Sequence, residues 1–340
     1  MTEKILFISI LVSFLTTLLI LPVWIVRAKS IGLIWEDVHK IGRPKNVAGS
    51  GGLAVLMGFT LGVLSYIAIK TFFLFTDITT IRIFALITTV LIAGVVGLVD
   101  DFLGWLQGGM SAKFRILMML FAAVPLMVIN AGAAHVNVPL IGLVDFGLYF
   151  SLIIVPLGII ATSTTFNILA GYNGLEASQG IIFLSAMAFV TFMTGDTWLS
   201  LIALCMVACL CAFFIFNKNP ASVFPGDSLT YAVGALIGVI AILGNIERVS
   251  IFFFIPYILQ VGLKTRGGLK KHSFGRLNED GSLDVPYDKF YGLEHIAIAL
   301  LKKFKKNGKA YEREVVWVIN CFQIVIILIG LFLFRSYIFI

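Results

Sequence analysis

The chain is a succession of apolar runs, each about as long as a bilayer is thick. A transmembrane helix takes about 20 apolar residues, and ten runs of that kind can be counted. They lie at 5–26, 48–69, 81–99, 114–133, 147–166, 178–194, 197–216, 228–246, 249–264 and 315–334. The first is longer than the roughly 7–15 residues of a signal-peptide core and lacks a small-residue cleavage site, so it reads as a retained span. Of the 340 residues, 59% are hydrophobic and 13% charged. Soluble domains carry roughly 45–50% and about 25%. The pattern predicts an all-α polytopic membrane protein of about ten transmembrane helices, a single integral membrane domain over 1–340. The segment 135–147 is too short to span and is broken by Pro139, Gly142 and Asp145. Its alternation of Val136, Val138 and Leu140 predicts a small extracytoplasmic hairpin. Cys205, Cys209, Cys211 and Cys321 all fall inside apolar runs. They fit neither a metal spacing nor a disulfide framework, and read as small packing residues.

Basic residues orient such a chain, because loops rich in Lys and Arg stay on the cytoplasmic side. The loops after spans one, three and seven, with the segment 264–313, carry 20 of the 25 Lys and Arg residues. They all lie on one side. Lys4, Lys70, Arg82, Arg248 and Arg335 fall on the other, so both termini are expected outside. The net charge of +7 follows from this bias, and nucleic acid is not an expected partner.

The polar residues divide the same way, although they played no part in setting the orientation. Glu36, Asp37, Asp100, Asp101, Asn167, Asn173, Glu176 and Asp227 all fall on the cytoplasmic side, delivered by separate loops. Asp100 and Asp101 follow an apolar run directly. Paired carboxylates at a bilayer edge are costly unless a cation or a metal–phosphate group answers them.

The loop NILAGYNGLEASQ (167–179) holds two amides and an acid at membrane level. Its Asn and Gly residues suit a tight helix connection, but Asn167 and Asn173 can also offer oxygen to Mg²⁺ or amide hydrogens to a base. In FNKNPASVFPGDS (216–228), Asp227 precedes an apolar run. It suits a helix N-cap or a metal that pairs with phosphate at a helix N-terminus. Phe224 can stack on a nucleobase or dip into headgroups. Lys113 can neutralise diphosphate or simply mark topology. Within the cytoplasmic basic segment 264–313, the cluster of Lys270, Lys271, His272 and Arg276 suits a phosphate or sugar ligand. The run Lys302, Lys303, Lys305, Lys306 and Lys309 suits anionic lipid. The chain contains no phosphate loop GxxxxGK[ST], no HExxH zinc pair and no GxSxG nucleophile elbow.

With GLIWEDVHK and the later GSGG, VDD, NILAGYNGLEASQ, VFPGDS and KHSFGRLN in order along nearly its full length, the chain resembles the polyprenyl-phosphate N-acetylhexosamine-1-phosphate transferases. These are of the glycosyltransferase family 4 type, and the resemblance is to the archaeal and eukaryotic branch that makes GlcNAc-diphosphodolichol in particular. It implies a ten-helix fold with a cytoplasmic-face active site. It implies transfer of GlcNAc-1-phosphate from UDP-GlcNAc to dolichyl phosphate, with release of UMP.

By motif position it implies Asn167 and Asp227 as ligands of Mg²⁺, with Mn²⁺ able to substitute. Asp100, Asp101 and Lys113 would serve the acceptor phosphate and the diphosphate. Phe224 and Asn173 would hold uracil. Glu36, Asp37, Lys40, Glu176 and Arg276 would line the substrate site, with Lys271 and His272 over the sugar phosphate. Thr164, Gly104 and Ser273 depart from the family pattern, and the triple His of the bacterial MurNAc-pentapeptide transferases is missing. The expected partners are a UDP-sugar, a polyprenyl or dolichyl phosphate and the bilayer, with a homodimer left open. The compact length points to an archaeal plasma membrane rather than the endoplasmic reticulum. Two other readings remain: the same reaction with another UDP-N-acetylhexosamine, and an ion-coupled transporter. Transporters place their acids near the bilayer midplane in repeated halves. Here the acids sit at span ends and no repeat is visible.

Overall fold

A computed structural model of the chain describes residues 6–74, 79–133, 135–138 and 142–339. Lys4 and the first residue of the first apolar run lie outside these. The helices are α1 (Ile8–Ser30), α2 (Gly52–Ile69), α3 (Thr79–Gln107), α4 (Ala112–Val128), α5 (Val155–Ile168), α6 (Leu175–Met193), α7 (Thr197–Asn217) and α8 (Gly226–Leu243). They continue with α9 (Glu247–Phe253), α10 (Ile255–Arg266), α11 (Leu293–Phe304), α12 (Glu312–Leu333) and α13 (Arg335–Ile338). The protein is an all-α polytopic membrane protein.

Among the described residues, eight helical stretches are long and apolar enough to cross a membrane, against the ten expected. The two runs that fall short have visible causes. α4 has 17 residues and carries Pro125 within it. The run 249–264 is split into α9 and α10 at Phe254, just ahead of Pro256, where a proline removes a backbone donor and favours a new helix start.

The core is organised around α8. Every residue from Ser228 to Leu243 is buried, as expected of a helix apolar on all faces. It packs against α3 and α5, with α2 and α7 also in contact. α1 and α12 lie at the periphery and keep much of their surface for lipid.

The short strands form three antiparallel pairs. The hairpin expected near 135–147 is present as β3 (His135–Val138) with β4 (Gly142–Asp145), in the register His135 opposite Asp145; residues 139–141 lie outside the described set. β1 (Ile34–Trp35) pairs with β2 (Val47–Ala48) in the loop after α1. β5 (Arg276–Leu277) pairs with β6 (Leu283–Asp284) between α10 and α11. Several lysines expected to face lipid are paired with acids of this segment or of the first turn of α12. Lys302 pairs with Asp284, Lys305 with Glu314 and Lys309 with Asp280. Lys303 and Lys306 stay exposed.

Candidate active site

Three helix ends meet at one end of the bundle: the C-terminal turns of α3 and α5 and the first turn of α8. Asp101 on α3 accepts the backbone N–H of Asp227 at 2.6 Å and the hydroxyl of Ser228 at 3.0 Å. A helix start leaves backbone N–H groups without intrahelical partners, and here a carboxylate from another helix takes them. Two glycines allow the approach. A Cβ on Gly226 would lie 2.2 Å from Asp101 Oδ2, and one on Gly97 would lie 2.3 Å from the Asp227 carbonyl oxygen. Gly226 also has φ +72°, a conformation that costs a residue with a Cβ.

Asp100 has a different environment. It is 3% exposed, accepts the Met110 N–H at 2.7 Å and forms an ion pair with Arg115 Nε at 2.7 Å. The Tyr231 hydroxyl donates to it at 3.4 Å. The two adjacent acids thus divide their work: one holds the start of α8, and the other is neutralised by a guanidinium.

Thr230, one turn into α8, donates to Asn167 Oδ1 at 3.1 Å and so ties the end of α5 to α8. Asn167 and Asp227 both line the same cavity. Among the described residues no group of three His, Cys, Asp or Glu side chains gathers as a metal cluster. One amide oxygen and one carboxylate instead form a hard-oxygen set of the kind Mg²⁺ accepts when waters and phosphate oxygens complete its shell. The donor set therefore fits Mg²⁺.

The loops carry the rest of the site. Asn173 donates through Nδ2 to Asp37 Oδ2 at 2.8 Å and through its backbone N–H to Glu312 Oε1 at 2.7 Å. Glu312 also pairs with Lys40 and accepts from Asn219 Nδ2 at 3.0 Å. Glu176 accepts the Gly171 N–H at 2.7 Å, and Asn217 Oδ1 accepts the Gly174 N–H at 3.1 Å. These contacts fix the 169–174 loop with side chains from three directions. Phe224 is held by its backbone, since its N–H donates to Ala48 O at 2.8 Å and its carbonyl accepts the Gly51 N–H at 2.9 Å.

His39, 7% exposed, packs between Tyr172 and Phe274 with ring centroids at 4.7 and 4.8 Å. The Tyr172 hydroxyl accepts the Gly275 N–H at 2.8 Å. Three separate segments are joined by this aromatic contact. Burial lowers the His39 imidazole to about 4, Asp37 working in the opposite direction and Lys40 with it. Glu294 on α11, fully buried against Gln260, is raised by burial to about 7.

The cavity has a volume of about 780 Å³, within the range of small-molecule sites. Glu36, Asp37, Asp101, Asn167, Asn173, Glu176, Phe224 and Asp227 all line it, so eight expected site residues from separate loops meet. Asp100 lies just behind the wall. Lys40 lies outside it and braces Asp37 and Glu312.

Four expected residues are placed elsewhere. Lys113 is exposed and away from the cavity, whereas Arg115 lines it. Residues two apart on a helix point about 200° apart, so only one of this pair can face inward. Lys271 lies over the Tyr287 ring at 5.0 Å. His272 stacks on Phe274 at 6.5 Å, and Arg276 sits in the β5–β6 pair. From that segment it is Lys264, Leu269, Ser273 and Phe274 that reach the cavity. Sequence reasoning missed Arg115, Glu312 and His39. The acid at the head of the last apolar run was the only signal for Glu312, whose partners lie in distant loops.

A bundle of apolar helices with an acid-lined cavity at a helix-end junction defines an integral membrane protein built around a polar ligand site. Residues 83–245 match glycosyl transferase family 4. The chain is 36% identical over 313 residues to a protein of Saccharolobus solfataricus provisionally named a UDP-N-acetylglucosamine–dolichyl-phosphate N-acetylglucosaminephosphotransferase, covering 91% of this chain and 89% of that one. It is 28% identical to a phospho-N-acetylmuramoyl-pentapeptide-transferase of Halalkalibacterium halodurans, over 78% and 86% of the two chains. It is 27% identical to the UDP-N-acetylglucosamine–dolichyl-phosphate N-acetylglucosaminephosphotransferase of Dictyostelium discoideum, over 66% and 62%. The chain belongs to glycosyl transferase family 4.

Proposed function

We propose that the protein transfers GlcNAc-1-phosphate from UDP-GlcNAc to a membrane polyprenyl phosphate of the dolichyl type, releasing UMP. This is the reaction that starts a lipid-linked oligosaccharide for N-glycosylation. The observation that carries the reading is the placement of Asn167 and Asp227 in one cavity whose wall also holds apolar Ile116 and Ile160. A polar nucleotide and a lipid-borne phosphate can meet there. The names of the Saccharolobus and Dictyostelium relatives support the substrates.

Asn167 and Asp227 would hold Mg²⁺, or Mn²⁺ in its place. When bound it supplies Lewis acidity and charge neutralisation at a diphosphate. The Asn173 amide and the Phe224 ring suit a uracil base. The acceptor's phosphate oxygen forms a bond to the β-phosphorus, the bond from that phosphorus to the bridging oxygen breaks, and UMP carries the electron pair away. The anomeric carbon–oxygen bond is untouched, so its configuration is retained. A phosphate monoester has its second pKa near 6, so the acceptor is already a dianion at neutral pH and needs no strong base. The site's task is positioning and charge stabilisation. The bias of Lys and Arg supports a cytoplasmic-face site with both termini outside, and the Saccharolobus relative supports an archaeal plasma membrane.

The test is transfer of radiolabel from UDP-GlcNAc into the lipid phase by purified protein in detergent with Mg²⁺ and dolichyl phosphate. Label that stays wholly in the aqueous phase sinks the reading. Competition by other UDP-N-acetylhexosamines reads out the sugar. Asp227→Ala should abolish transfer.

A further inference from the structure

We infer that Lys264 is a phosphate-binding cation of this site, contacting either the acceptor's phosphate or the donor's diphosphate. The inference deepens the transfer reading and rests on it.

The argument begins with the cavity's charges. Five acids and two cations line it. Most of these are already answered. Asp101 is taken by the start of α8 and Glu176 by the Gly171 N–H. Asp37 is taken by Asn173 and Lys40, and Glu36 lies 3.5 Å from Lys45. Arg115, one of the two cations, is spent on buried Asp100 at 2.7 Å. Lys264 is the other.

Among the described residues, Lys264 is the one cavity-lining cation whose ammonium makes no hydrogen bond or ion pair. It is half-buried in the last turn of α10. The carboxylate whose charge acts on it through space is Glu294. That carboxylate is instead held by Gln260 Nε2 at 3.0 Å to each oxygen. A half-buried ammonium gives up hydration and needs an anion to recover it.

A transfer between two phosphates supplies that anion. The acceptor alone brings close to two negative charges at neutral pH. A single divalent cation on Asn167 and Asp227 cannot neutralise both an acceptor dianion and a diphosphate. Lysine is suited to the remainder, being a compact point charge with three donors on a flexible stem. Lys264 reaches the cavity from α10, whereas Arg115 reaches it from α4, so the two cations enter from different elements.

Steady-state kinetics with both substrates varied tests this, using Lys264→Met, Lys264→Arg and Arg266→Met. Arg266 is exposed, carries the same charge on the same turn and does not line the cavity. Lys264→Met is expected to raise one KM about tenfold or more, the usual scale for a hydrogen bond to a charged group. Lys264→Arg should recover most of the loss, and Arg266→Met should leave both KM values within about twofold. A rise confined to polyprenyl phosphate assigns the acceptor, a rise confined to UDP-GlcNAc assigns the donor, and a rise in both places the ammonium between them. Unchanged KM values in folded Lys264→Met overturn the inference. Calorimetric titration with UDP-GlcNAc and with polyprenyl phosphate reads the same contact without turnover. If wild-type protein forms no lipid-linked product, the transfer reading fails, while weaker binding of either ligand to Lys264→Met still upholds the contact and equal binding overturns it.

Discussion

Asp101 Oδ1 accepts the backbone N–H of Asp227 at 2.6 Å, across 126 residues of sequence. An acid in the C-terminal part of one membrane-spanning helix therefore fixes the acid that begins another. Asp227 is left free of capping duty, because its neighbouring helix already supplies the cap. Removing Asp101 leaves the Asp227 N–H and the Ser228 hydroxyl without their carboxylate. Loss of a cap costs about 0.5–2 kcal/mol. Asp101→Ala should lower Tm and cut kcat steeply through misplacement of Asp227. Asp101→Asn, which keeps one acceptor oxygen, should fall between it and wild type. Equal kcat in all three proteins would mean that Asp101 does not position Asp227.

Arg115 and Lys113 offer a direct contrast. Both sit in the first turn of α4, but only Arg115 reaches Asp100. Removing one partner of a buried pair costs about 3–5 kcal/mol; Arg115 is roughly a third exposed, so the lower part of that range applies. Arg115→Ala should reduce both Tm and turnover, while Lys113→Ala should leave turnover within about twofold, as surface charges usually do. Radiolabel transfer by the two purified variants decides it. The reverse order would restore the diphosphate role to Lys113.

The span pattern was legible because its period and length are properties of the sequence itself. So was the gathering of acids and amides on one face, since a run of apolar residues can only deliver its end residues to one side or the other. The cost of charge at a bilayer edge made Asp100 and Asp101 stand out, but their division of labour was not readable. It depends on Gly97 and Gly226 letting two backbones approach, and close approach leaves no mark beyond the glycines. Lys113 and Arg115 were equivalent in a linear reading, and only the helix rotation separates them. Glu312 was invisible for another reason. Its partners Asn173, Asn219 and Lys40 lie 139, 93 and 272 residues away, and no local pattern encodes such distances. The cap residues Lys271 and His272 were inferred from motif position, whereas the fold of the segment turns Ser273 and Phe274 inward in their place.

Glu312 gathers three segments of the site on one carboxylate. Its Oε1 takes the Asn173 N–H at 2.7 Å, and Oε2 takes Asn219 and Lys40. Asn173 in turn holds Asp37. Glu312→Ala should therefore disturb the nucleotide end of the cavity rather than the Asp227 end. With Glu312 5% and Lys40 19% exposed, the stability loss should be about 3 kcal/mol, the lower part of the range for breaking a buried pair. The KM for UDP-GlcNAc should rise more than the KM for polyprenyl phosphate. Glu312→Gln keeps the shape and an acceptor, so it should be milder on both measures. An effect on polyprenyl phosphate alone would contradict this assignment of ends.

His39 gives the fold a defined acid limit. Its imidazole is neutral in the folded protein down to about 4, while the unfolded chain takes up the proton near 6.5. Between those values the unfolded state binds a proton that the folded state refuses, so stability rises with pH through this window. As pH falls from 6.5 toward 4 the contribution is lost, and below about 4 the loss levels off. Its full size is bounded at about 3 kcal/mol. The cause is burial between Tyr172 and Phe274, with Nε2 left without a hydrogen-bond partner. His39→Phe keeps the aromatic packing and removes the titration. It should match or exceed wild-type Tm near neutral pH and flatten the decline in Tm between pH 6.5 and 4. Thermal unfolding in detergent across that range is the measurement. A variant with the same acid slope as wild type would place the pH dependence on other groups.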